Sequence, residues 1–103
     1  MKKLSIAVTL ALGLSANAFA ADGKKIYDTA CFACHASGVA NSPKVGDKPE
    51  WKARIAKGID VLNTNAIKGF QGKKGFMPAK GGRADLSDAD VKAAVEYMVA
   101  QSK

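Results

Sequence analysis

The chain has 103 residues, 16 of them basic and 9 acidic, for a formal charge of +7. That length leaves room for a single domain. The basic residues stand singly or in pairs rather than in runs, and the few aromatics form no stacking platform, which argues against a nucleic-acid binder.

The N-terminus reads as a targeting segment. Lys2 and Lys3 precede the apolar run "LSIAVTLALGL" (4–14), and "SANAFA" ends in the small-x-small pattern Ala18-Phe19-Ala20 of a signal peptidase site. The alternative is an uncleaved membrane anchor, because the uncharged run 4–21 has 18 residues, the lower edge of a spanning length. Ser5, Thr9, Ser15 and Asn17 dilute that run, so residues 1–20 are expected to be removed, leaving 21–103 as the working domain with no membrane span. No cysteine follows the cleavage site, which disfavours a lipid anchor. The expected product is a periplasmic chain of 83 residues with 14 basic and 9 acidic side chains, a charge of +5. A core that small commonly needs a staple, a metal or a cofactor.

A first helix is expected from Asp22 or Gly23, with Ile26, Tyr27 and Ala30 on one face. It runs into "CFACH": Cys31, Cys34 and His35, the last being the only histidine of the chain. A disulfide between cysteines three residues apart would close a tiny loop and constrain the unfolded chain little. A thioredoxin-like pair would need a βαβ context, and a zinc site would need a further cysteine or histidine; neither is present. The pattern C-x-x-C-H is that of c-type haem attachment. Two thiols one helical turn apart can each add to a vinyl group on one haem edge, and the adjacent imidazole then sits over the iron.

Residues 35–48 read as loop from their Gly, Pro, Ser and Asn content. Pro49 suits the first turn of a helix carrying Trp51, Ile55 and Ala56 and stopped by Gly58. Asp60 is expected to cap a third helix with Leu62, Ala66 and Ile67 on its apolar face, ended by Gly69. Residues 70–86 follow as a long irregular segment containing "GFMPAKGG". Pro78 biases Met77 away from helix, so this thioether stands on a loop. Ser87 with Asp90 resembles a capping box for a last helix to about Gln101, whose Val91, Ala94, Val95 and Met98 form a buried stripe.

Haem iron bound by one histidine has a sixth position, which methionine fills in cytochromes c. Met1 leaves with the signal peptide and Met98 has the periodicity of core, so Met77 is the expected second axial ligand. Four short helices without a sheet would surround one haem c, which supplies the missing apolar centre.

In motif order and length the chain resembles a small class I cytochrome c. "SPKVGDKPEWKARI", "MPAKGG" and "LSDADVKAAVEYM" are similar to the bacterial cytochrome c-five branch, across roughly residues 22–101. That branch commonly carries a second cysteine pair near the "GG" segment; here Arg83 stands there without a cysteine. The resemblance implies thioethers from Cys31 and Cys34, and axial ligation by His35 and Met77. It also implies that the Pro43 carbonyl accepts the His35 Nδ1 proton, that Gly23 and Tyr27 meet Tyr97 at a helix crossing, and that Trp51 packs near the haem propionates. For Tyr27, Trp51 and Tyr97 ordinary core packing accounts for the residues equally well.

The expected function is one-electron carriage between redox proteins, not enzymatic turnover. A peroxidase-like enzyme would want a distal histidine, and His35 is the only one. A gas sensor or haem-delivery module would treat Met77 as a displaceable ligand. Lys73, Lys74 and Lys80 flank Met77 and are expected to rim the haem face, docking on an acidic patch of the partner or merely solvating a loop.

Overall fold

The computed structural model describes residues 22–73 and 75–103. The expected signal peptide, its cleavage site, Met1 and Lys74 lie outside the described residues. No described helix is long and apolar enough to cross a membrane.

Four helices carry the described fold. Helix α1 begins as an α turn over Gly23–Ile26, passes through a π turn over Tyr27–Cys31 and closes with an α turn over Phe32–His35. Asp22 starts it, its Oδ1 accepting the Lys25 N–H at 3.2 Å. Helix α2 spans Lys48–Ala56; Asp47 accepts the Glu50 N–H at 3.3 Å, and Pro49 sits in the first turn, where no N–H is needed. Helix α3 spans Ile59–Lys68. Asp60 does not cap it. Gly58 takes the N-cap position with φ +99°, so the helix begins one residue before Asp60. The Asp60 carboxylate then lies inside the first turn, favourable for the helix dipole but unable to act as the cap. Helix α4, Asp88–Ser102, opens with the expected box: Ser87 Oγ accepts the Asp90 N–H at 3.0 Å and Asp90 Oδ2 accepts the Ser87 N–H at 3.3 Å.

The segment after α3 is less irregular than its composition suggests. Strand β1 (Phe70–Gln71) pairs antiparallel with β2 (Phe76–Met77), Phe70 opposite Met77 and Gln71 opposite Phe76. Strands of two residues are too short to show an alternating pattern, so the expectation of no sheet missed them. Short 3₁₀ turns at Val39–Asn41 and Ala79–Gly82 complete the chain.

The core gathers on α4. Val91, Ala94, Val95, Met98 and Val99 are buried with Tyr27 of α1, Trp51 of α2, Ala66 of α3 and Leu86. Helices α1 and α4 pack closely at Gly23, where an added Cβ would run into the Ala93 carbonyl and lie 3.2 Å from Tyr97 Cβ. Beside it the Tyr27 and Tyr97 rings pack with centroids 5.5 Å apart. Because the obstacle at Gly23 is backbone, Gly23→Ala should lower stability by about 1–3 kcal/mol, the usual effect of overpacking. The denaturant midpoint of the haem-loaded protein reads this; an unchanged midpoint would show that the helices part without cost.

Candidate functional site

The cysteine motif ends α1, and the π turn decides how it sits. One extra residue fits between Tyr27 and the Phe32 N–H that bonds its carbonyl. Such bulges break the regular rotation of a helix and recur at functional sites. Cys31 and His35 then face a cavity of about 760 Å³. Cys34 lies one turn on, half-buried and outside the lining residues. Both cysteines are free thiols. Burial, with a smaller contribution from Cys34, raises the Cys31 pKa, so its sulfur is held as the neutral thiol.

His35 is 8% exposed. Its Nδ1 lies 2.9 Å from the Pro43 carbonyl. A carbonyl can only accept, so Nδ1 carries the proton and Nε2 keeps its lone pair. Burial lowers the imidazole pKa most; the Pro43 hydrogen bond opposes this, and the charge of Arg54 adds to the lowering. A neutral ring with one nitrogen committed to backbone is the form that ligates metals. The loop bearing Pro43 is itself fixed: the Val45 N–H donates to the His35 carbonyl at 2.8 Å, and Trp51 Nε1–H donates to the Lys44 carbonyl at 2.9 Å. Trp51 is buried against the same cavity, its ring centroid 6.5 Å from that of His35.

Met77 lines this cavity from β2, half-buried and packed against the core. Gly69 permits its placement. It has φ +90°, and a Cβ there would stand 3.0 Å from the Met77 carbonyl. Met98 lines the cavity too, from the middle of α4, buried at 5% exposure. The structure thus brings both methionines to the site: Met98 belongs to the buried core, as its periodicity predicts, and also lines the cavity.

The lysines divide. Lys73 is exposed at the cavity. Lys80 is not a free surface charge: its ammonium donates to the Leu86 carbonyl at 2.7 Å and pairs with Asp88 at 3.1 Å, and its side chain is only 20% exposed. It latches the methionine segment to the start of α4. Lys80 lines the cavity as expected, but that latch takes up its charge, so it is not the free docking residue anticipated; no local pattern announces the latch because its partners lie six and eight residues on. Arg54 and Lys57, also at the cavity, were missed for want of any motif around them.

The donor set fits a haem. The wall is largely apolar, from Ile26, Leu62, Leu86, Val91 and Val95, with a thiol, an imidazole lone pair and two thioethers among its polar and polarizable groups. Its volume lies in the range of about 300–1,000 Å³ usual for ligand sites.

Comparison with known proteins agrees with this geometry. The family model for cytochrome C oxidase, cbb3-type, subunit III matches residues 18–98. The chain is 54% identical to cytochrome c-555 of Chlorobaculum tepidum, over 93% of this chain and 92% of the relative. It is 42% identical to cytochrome c5 of Azotobacter vinelandii, over 77% of this chain and 93% of the relative. Among solved structures, a chain in the crystal structure of an electron transfer complex of nitrite reductase with cytochrome c superposes with a TM-score of 0.71 at 44% identity, covering 80% of this chain and 95% of that one. A mono-heme ferrocytochrome c from Shewanella putrefaciens does so with a TM-score of 0.64 at 39% identity, covering 80% and 95%. An all-α fold around a C-x-x-C-H turn, matched over nearly the whole domain, settles the family: the chain belongs to the small class I monohaem cytochromes c, whose cofactor is one covalently attached haem c.

Proposed function

We propose that this chain is a periplasmic one-electron carrier, made as a precursor whose residues 1–20 are removed. Cys31 and Cys34 would hold the haem through thioethers, and His35 and Met77 would ligate its iron. The observation that carries this reading is the buried, neutral His35 imidazole, its Nδ1–H given to Pro43 and its other nitrogen left for the cavity. When bound, the haem iron supplies reversible one-electron chemistry. The chain's part would be to supply both iron ligands, so that neither O₂ nor a substrate finds a site, and to surround the haem with the apolar wall of the cavity. A thioether on the sixth position favours the reduced iron and raises the potential.

The partner is another redox protein, as for the structural neighbour found in an electron transfer complex with nitrite reductase. Among the described residues at the cavity, Lys44, Arg54, Lys57 and Lys73 stand against Asp47 and Glu50, while the charge of Lys80 is taken up by Asp88. Two propionates and a dianionic porphyrin set against ferric iron would remove about one net charge, leaving a domain near +4. A cationic surround of the electron exit suits brief docking on an acidic patch, where charge sets encounter rate more than affinity. The bimolecular electron-transfer rate with an acidic redox protein should fall steeply as salt shortens the screening length to about 10 Å at 0.1 M. Lys57→Gln with Lys73→Gln should flatten that slope and leave the spectrum unchanged. A rate indifferent to salt would place docking elsewhere or make it apolar.

A further inference from the structure

The loop 43–46 beside His35 is held by α1 and by Trp51, and also by the far end of the chain. Ser102, in the last turn of α4, is 1% exposed. Its hydroxyl donates to the Met98 carbonyl at 2.8 Å, and the same oxygen accepts the Gly46 N–H at 3.0 Å. One proton and two lone pairs serve both bonds without conflict. The bond to Met98 is common for a serine in a helix. The bond to Gly46 is different: it spans 56 positions and pins a loop that has no helix of its own. Gly46 has φ +91°, a conformation open to glycine, and its amide sits three residues after the carbonyl that meets the imidazole.

We infer that Ser102 is a positioning residue for His35. By fixing Gly46 it holds the Pro43 carbonyl against Nδ1–H and thereby sets the electron-donating power of the ring. This rests on the reading of His35 as an iron ligand. A firm acceptor at Nδ1 makes the imidazole a better donor at Nε2, and a better donor favours ferric over ferrous iron, lowering the potential. Gly46 is itself exposed, so without the hydroxyl its N–H turns to water and the loop loses its tie to α4. The loop then relaxes, the Nδ1–H bond lengthens and the potential rises.

The test uses the haem-loaded protein and three variants: Ser102→Ala, Ser102→Thr and Val99→Ala. Val99 is buried on the same helix but does not line the cavity, so its truncation loosens α4 while leaving the Ser102 hydroxyl and its bond to Gly46 in place. Hydrogen exchange of the His35 Nδ1–H is followed by NMR in the reduced state, alongside the potential and the thermal midpoint. Ser102→Ala should speed Nδ1–H exchange by about tenfold, the factor that corresponds to about 1.4 kcal/mol, and raise the potential. Ser102→Thr should restore both, and Val99→Ala should lower the midpoint while moving neither. In the unaltered protein the Gly46 amide and the Nδ1–H should open together, with the same denaturant dependence, a measurement that needs no variant. Independent opening would overturn the inference, as would Ser102→Ala losing stability with exchange and potential unchanged, or Val99→Ala shifting them equally. A low-spin, imidazole-bound spectrum in the unaltered protein keeps such a failure with Ser102; its absence would instead sink the ligation reading.

Discussion

Replacing Cys31 and Cys34 together by alanine should yield a chain that loses its haem on purification and its fold with it. The reason lies in how much of the core is cavity wall. Of the nine buried apolar residues among those described, Trp51, Ala66, Leu86, Val91, Val95 and Met98 also line the haem cavity. Emptying such a site costs about 24 cal/mol for each Å³ of cavity that cannot collapse. Applied to about 760 Å³ this is an upper bound of about 18 kcal/mol, since part of the space faces water. Even a fraction of it rivals the whole stability of a small domain, about 5–15 kcal/mol. Far-ultraviolet circular dichroism of the double variant should show mostly unfolded chain. A cooperative, helical, haem-free protein would mean that the polypeptide alone carries the core.

Met77→Ala should abolish the iron–sulfur charge-transfer absorption, lower the potential and let carbon monoxide bind the ferrous iron. Met98→Ala should keep that absorption and instead cost stability, about 2–5 kcal/mol for truncating a buried methionine. The two residues need this comparison because both line the cavity. Their surroundings differ: Met98 is set within a fifteen-residue helix among Val91, Val95 and Val99, whereas Met77 rides on a two-residue strand steadied by Gly69 and the Lys80 latch. A charge-transfer band lost in Met98→Ala and kept in Met77→Ala would exchange the two roles.

The parts of the fold readable in the sequence are those whose chemistry is local. Asp22, Pro49 and the Ser87–Asp90 box act within a single turn, so their patterns mark helix starts directly, although the Asp47 cap itself was not read. The C-x-x-C-H spacing is local in the same way, and the four helices followed from apolar periodicity around it. The Pro43 hydrogen bond to His35 came from family resemblance, and the structure contains it. What stayed hidden is either too short to have a period or made by distant partners. The strands over Phe70–Gln71 and Phe76–Met77 belong to the first kind, and the π turn over Tyr27–Cys31 hides within an otherwise helical pattern. The Lys80 latch and the Ser102–Gly46 bond belong to the second. Ser102 left one trace, since it continues the buried stripe Val91, Val95, Met98 at the next helical position, where a polar residue asks for a partner. Asp60 misled because aspartate is a good cap by type, yet Gly58 supplied the backbone geometry two residues sooner than a cap at Asp60 allows.

The central claim is that one haem is attached to this chain with both axial positions filled by its own side chains. The absorption spectrum of the purified ferrous protein, recorded before and after carbon monoxide, tests it most directly. The purified protein should show a low-spin c-type spectrum that carbon monoxide leaves unchanged at neutral pH. A spectrum shifted by carbon monoxide would contradict it, for the iron would then hold an open or readily surrendered position, as a sensor or an enzyme requires.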